Sequence, residues 1–206
     1  MPKSQNYHKF VFINCPFDDQ YLHFRNASIF TILDCGFIPK CALEEDNSGH
    51  VRFEKIRKLI QDAKLAIHDI SKTELDPDTK LPRFNMPFEL GLFIGAKCFG
   101  TKKQQEKNCL ILDKEPYRYQ AFISDIAGHD IRCHHDQIND LIKCIRNWLS
   151  NLSNEKVIPG ANKITEKFNS FINELPDLCV RVPIDVDELT YNDYVQFISR
   201  WLKKNI

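Results

Sequence analysis

Short apolar runs alternate with longer stretches of helical period along most of the chain, and that alternation restricts the fold more than any other feature. HKFVFINC (8–15), FIPKCAL (37–43), KLAIHDI (64–70), NCLILD (108–113) and HDIRCH (129–134) read as strands. Helical patterns lie near 20–35, 52–63, 86–98, 118–127 and 136–151. Each intervening segment is long enough for a crossover, so the strands should run parallel, with helices on both faces of the sheet. Right-handed crossovers leave few orders, and 2-1-3-4-5 is the choice: an α/β, flavodoxin-like three-layer sandwich. Pro39 puts the second strand at an edge, Gly36 closes the first helix, and Asp18 or Asp19 caps its start.

LSNEKVIPGAN (152–162) reads as a linker, dividing an α/β domain (1–151) from a helical extension (152–206) packed on it. Helices are expected near 163–174 and 190–203, while DLCVRVPIDVDEL between them carries no clear pattern. Phe168, Phe171, Ile172, Tyr194, Phe197, Ile198, Trp201 and Leu202 supply the apolar face that docks the extension. Its aromatic content also makes it a candidate surface for self-association into a homo-oligomer.

Lys+Arg and Asp+Glu both number 28 and cancel, which argues against general nucleic-acid binding, where a basic excess neutralises phosphates. No apolar run is long enough to span a bilayer, and MPKSQNYHKF lacks the pattern of a signal peptide. A cytoplasmic location is the expectation. The eight cysteines include no CxxC pair, so they read as reduced, core-packing thiols with no zinc role. His134 and His135 point to opposite sides of a strand and read as a surface or strand-end pair, while His68 reads as packed and hydrogen-bonded; no metal site is expected. GxGxxG, GxxxxGK[ST] and GxSxG are all missing, and no cofactor is expected.

In a sheet of order 2-1-3-4-5 ligands bind beyond the strand ends where the order reverses, here between strands one and three. That brings residues 14–21 and 69–89 together. Asn14, Asp18 and Tyr21 lie at the exit of strand one, where Tyr21 either packs or touches a ligand. Asp69 ends strand three, where it either orders the following loop by accepting from backbone N–H groups or meets the ligand. In RFNMPFELGLFIGAK (83–97) Asn85 can cap a helix and Pro87 suits its first turn. Glu89 then sits near the helix mouth, where the dipole favours an ionised carboxylate. A sugar cation needs such a group aimed at its anomeric carbon; the plainer role is an acid that stabilises its own helix. Arg83 is the candidate contact for a phosphate or carboxylate.

FINCPFDD, HDIS and FELGLFIGAK together resemble the nucleoside 2-deoxyribosyltransferase family, and FVFINCPFDD is similar to the first box of TIR domains. The resemblance implies that Pro16 and Phe17 shape a sugar pocket, Asp69 contacts sugar or base, and Glu89 is the nucleophile. It implies a hydrolase or transferase acting on the N-glycosidic bond of a nucleoside, nucleotide or NAD-like molecule, in nucleotide salvage or bacterial defence. The alternatives are a non-catalytic TIR-like nucleotide-binding module that signals through protein assembly, and a doubly wound regulatory domain without a nucleotide ligand.

Overall fold

A computed structural model describes residues 6–76, 78–153 and 157–205. Five parallel strands, β1 (Phe10–Asn14), β2 (Ile38–Lys40), β3 (Leu65–Asp69), β4 (Asn108–Asp113) and β5 (Arg132–Cys133), form one sheet in the order β2-β1-β3-β4-β5. The helices are α1 (Leu22–Asp34), α2 (Arg52–Asp62), α3 (Asn85–Phe99), the short α4 (Lys102–Gln105), α5 (Ile138–Leu152), α6 (Ala161–Val180) and α7 (Tyr191–Lys204). The chain is therefore an α/β protein with a flavodoxin-like sheet, and its C-terminal helices join the layers. Pro39 does lie on the edge strand, where a missing N–H costs no ladder bond. Gly36 closes α1 with φ +82°, a conformation that side chains disfavour.

Alternation along the strands assigns the two faces. Val11, Ile13, Leu65, Ile67, Leu110 and Leu112 point into the larger core with α1, α5, α6 and α7. Phe12 and Ala66 point the other way, onto Ile56, Ile60 and Phe93 of α2 and α3. Phe30 of α1 meets Phe168, Phe171 and Trp201 at centroid distances of 5.5, 5.6 and 6.0 Å. Burying side chains of this size contributes roughly 1.5–3 kcal/mol each, which fixes the extension to α1. The aromatics of that extension are thus spent on packing.

Three expectations on elements need correction. Residues 118–127 form two short 3-10 turns, Arg118–Ala121 and Ser124–Ile126, not a helix. Tyr117 stands at φ +60°, and the Arg118 side chain turns back to Asp113, Thr73, Ile70 and Ser71. The sixth helix runs on through Pro176 to Val180. An interior proline costs about 3 kcal/mol, but Leu175 and Cys179, buried on either side of it, hold the last turns in the core. Asn85 is the first residue of α3 and caps nothing; Phe84 occupies the cap position with no side-chain bond.

Of the expected linker, residues 154–156 lie outside the described residues. Arg146 anchors the segment after them by donating to Pro159 O at 2.7 Å and Ile158 O at 3.1 Å. All eight cysteines are free, four of them buried and Cys98 exposed. Among the described residues no helix is long and apolar enough to cross a membrane.

Candidate active site

Asn14 is the last residue of β1 and is 2% exposed. Its Nδ2 donates to His68 Nδ1 at 2.9 Å and to the Met86 carbonyl at 3.0 Å. The side chain expected to meet a ligand instead ties the first turn of α3 to the tips of β1 and β3. Because His68 Nδ1 accepts, the ring proton sits on Nε2, which is buried without a partner. Burial, helped by the charge of Lys107, pushes the His68 pKa down to about 3, so the ring stays neutral.

Glu89 is positioned by that tie. It is the fifth residue of α3 (Asn85–Phe99) and is 7% exposed. Among the described residues it has no hydrogen bond and no ion pair. Burial pushes its carboxyl up to about 7, with Arg52 pulling weakly the other way. The helix mouth was expected to favour the ionised form of Glu89, whereas burial raises its carboxyl and leaves it partly ionised near neutral pH. The dipole effect fades within the first turn, and Glu89 lies beyond it, where loss of hydration wins.

Asp69 is 1% exposed and fully engaged. Tyr21 donates its hydroxyl to Oδ2 at 2.5 Å, and the Ser71 N–H meets Oδ1 at 2.9 Å. His134 Nε2 lies 3.3 Å from Oδ2, at ion-pair distance though off hydrogen-bond alignment. The N–H of Asp136 reaches His134 Nδ1 at 3.1 Å, which leaves the ring proton on the nitrogen facing Asp69. Burial alone would raise the Asp69 pKa; His134, Ser71 and Tyr21 outweigh it, and the carboxyl lies below its ordinary range. Through these contacts Asp69 orders the strand tip.

Tyr21 and Asp18 also turn out to be framework. Tyr21 is buried with its hydroxyl on Asp69. Asp18 accepts from the Tyr21 N–H at 3.2 Å and pairs with Lys72 at 2.8 Å. Pro16 is buried and Phe17 half-buried; the guanidinium carbons of Arg25 and Arg52 lie 5.9 and 5.7 Å from the Phe17 ring centroid. Arg83 and Asn85 are exposed, with no hydrogen bond or ion pair among the described residues. The charge of Arg83 falls on Asp76 in its own loop.

Both acids act on Cys15: burial raises its thiol well above the ordinary range, and the charges of Cys41, Asp69 and Glu89 add to this against Arg25. Such a thiol stays protonated and is no nucleophile. The starts of α2 and α3 are neighbours, since the Phe53 and Phe88 rings stand 6.3 Å apart and both are exposed. Arg118 adds a brace beyond β4. It pairs with the buried Asp113 and donates to Ser71 O at 2.7 Å and Ile70 O at 3.1 Å, holding the start of the long loop before α3.

The sequence reading missed His134, Arg25, Arg52 and Arg118. His134 was expected in a surface or strand-end pair; it stands directly after β5 and is fully buried. Its one usable signal was its place after β5, on the strand ends that carry the site. The arginines gave no local signal at all.

Compared with known proteins, the chain matches no family model, no curated protein and no solved structure. Among the described residues no group of His, Cys, Asp or Glu side chains is placed to hold a metal ion.

Proposed function

We propose that the protein cleaves or exchanges the N-glycosidic bond of a nucleoside, nucleotide or NAD-like molecule, with Glu89 acting on the anomeric carbon. One observation carries this reading: Glu89 is a buried carboxyl at the strand tips that nothing else in the described protein uses. Leaving an acid desolvated and unpartnered costs stability, and such groups concentrate where chemistry needs them. The resemblance of FINCPFDD, HDIS and FELGLFIGAK to nucleoside 2-deoxyribosyltransferases, and of the opening strand to TIR domains, points to the same residue.

In the proposed step the Glu89 carboxylate bonds to the anomeric carbon, or stabilises its cation, while the C–N electrons leave with the base. A purine or pyrimidine base takes a proton from water as it leaves, whereas a nicotinamide departs neutral and needs none. Water then attacks the same carbon in hydrolysis, or a second base does so in transfer. Asp69 and Tyr21 support this indirectly by fixing the tip of β3, and Asn14 by holding α3 in place.

The test is to incubate the protein with NAD and a panel of nucleosides and nucleotides and to follow released base by chromatography. Wild type should release base. Glu89→Gln should lose at least about 10³-fold in rate while keeping its circular dichroism spectrum. Since the acting form is the ionised one, the rate should climb as pH rises through about 7. A rate that falls over that range, or a Gln variant as fast as wild type, removes Glu89 from the reaction. Wild type inert on the whole panel removes the glycosidic reading.

A further inference from the structure

Phe17 follows β1 on the exposed side of the strand tips, and two cations share its ring. Arg25 comes from α1 and Arg52 is the first residue of α2. With guanidinium carbons 5.9 and 5.7 Å from one centroid, they can be no further apart than the sum of those distances. Neither has a carboxylate within ion-pair distance among the described residues. Asp19 and Asp187 line the same groove as Arg25 without reaching it. Arg52 acts on Glu89, which is itself only partly ionised near neutral pH.

Two like charges over one ring repel each other. A cation–π contact at an exposed site returns only about 0.5–1 kcal/mol. The surroundings add positive potential: α2 starts at Arg52 and α3 at Asn85 with no side-chain cap on either, and the Phe53–Phe88 contact sets these starts side by side. Next to them lies the buried, unpartnered Glu89, which points to a ligand at the same place on independent grounds.

We infer that Arg25 and Arg52 bind the phosphate of a phosphorylated nucleoside ligand, beside Phe17 and at the mouth of the Glu89 site. The inference narrows the substrate class of the proposed reaction to nucleotides and dinucleotides, and rests on that reading for the nucleoside part. The planar guanidinium fork meets phosphate oxygens two at a time, which a lysine at the same place does not reproduce. Arg83, the candidate for this role in the sequence, is exposed in a different loop.

The experiment is titration calorimetry with adenosine, AMP and inorganic pyrophosphate on wild type, Arg25→Ala, Arg52→Ala, the double alanine variant and Arg25→Lys/Arg52→Lys. Wild type should bind AMP at least about tenfold more tightly than adenosine. Each alanine variant should lose roughly tenfold in AMP affinity and leave adenosine binding unchanged. The double lysine variant should retain part of the AMP affinity. Equal affinity for AMP and adenosine overturns the inference. So does AMP binding that survives in the double alanine variant, or wild type that binds neither AMP nor pyrophosphate. If the arginines merely clamp Phe17, their loss lowers the melting temperature without separating AMP from adenosine. Arginine-dependent AMP binding without base release leaves the phosphate site standing and removes the glycosidic reading. Base release from unphosphorylated nucleosides that ignores both arginines does the reverse.

Discussion

Asp69 leaves β3 toward α1 and α5, whereas Glu89 is carried by α3, which packs on the opposite face of the sheet. Both carboxyls are nearly closed to solvent, and both charges reach the thiol of Cys15. One is met by a hydroxyl, a backbone N–H and an imidazole, and its pKa falls. The other is met by nothing, and its pKa rises to about 7. Burial is common to the two, so burial does not by itself mark a reactive acid. What separates them is whether the protein has already supplied the partners that a substrate would otherwise bring.

Asp69→Asn offers the largest effect with which to break this comparison. Removing the charge leaves His134 and Tyr21 facing an amide that can accept only at its oxygen. Breaking a buried charged network costs about 3–5 kcal/mol, so urea denaturation should show a loss of that order at pH 8. By sign, a carboxyl held below its ordinary range contributes stability above the unfolded value of 3.8, and that contribution disappears as pH falls through the folded value. The variant should therefore converge on wild type in acid. An Asn variant as stable as wild type at pH 8 would mean that the three partners contribute nothing.

Glu89→Gln should shift stability in the opposite direction. A carboxyl raised from 4.5 to about 7 contributes fully below 4.5 and loses that contribution as pH rises through 7. Above pH 7 the wild type carries a buried charge that the amide variant lacks. The variant should gain on the order of 1–3 kcal/mol relative to wild type between pH 5 and pH 8, even as base release is lost. If Asp69→Asn and Glu89→Gln shift stability in the same direction at pH 8, the contrast between the two acids is gone.

The fold was legible because period and connection length are local properties of the chain. HKFVFINC, KLAIHDI and NCLILD are short apolar runs too far apart for hairpins, and parallel crossovers are the consequence. Where local signals misled, a distant partner had decided the outcome. Arg118 turns back to Asp113 and the loop after β3, so the expected helix over 118–127 breaks into turns. Pro176 suggests a stop, but buried Leu175 and Cys179 carry α6 past it. At the site, the switch point brought Asn14, Asp69 and Glu89 to one end of the sheet, as their places in the sequence imply. Their roles were not legible. Whether a carboxyl is satisfied depends on residues such as Tyr21 and His134, which lie 48 positions before Asp69 and far after it in the chain. The spacing of charged residues carries no trace of that.

Tyr21→Phe gives the smallest effect and the sharpest test of how Asp69 is kept low. The substitution removes one hydroxyl and leaves the ring in place against Phe24, 5.4 Å away. Asp69 Oδ2 would then keep only His134, and Oδ1 its bond from Ser71. A hydrogen bond to a charged group contributes about 1.5–3 kcal/mol, and retained packing leaves a loss near the lower end. Because the hydroxyl favours the ionised acid, its removal should also raise the Asp69 pKa and move acid unfolding to higher pH. Base release at pH 8 should change little in the folded variant, as Tyr21 acts on the framework and does not touch the substrate. A Phe variant that folds normally yet loses base release as completely as Glu89→Gln would place the Tyr21 hydroxyl in the reaction, and would make the two acids parts of one machine.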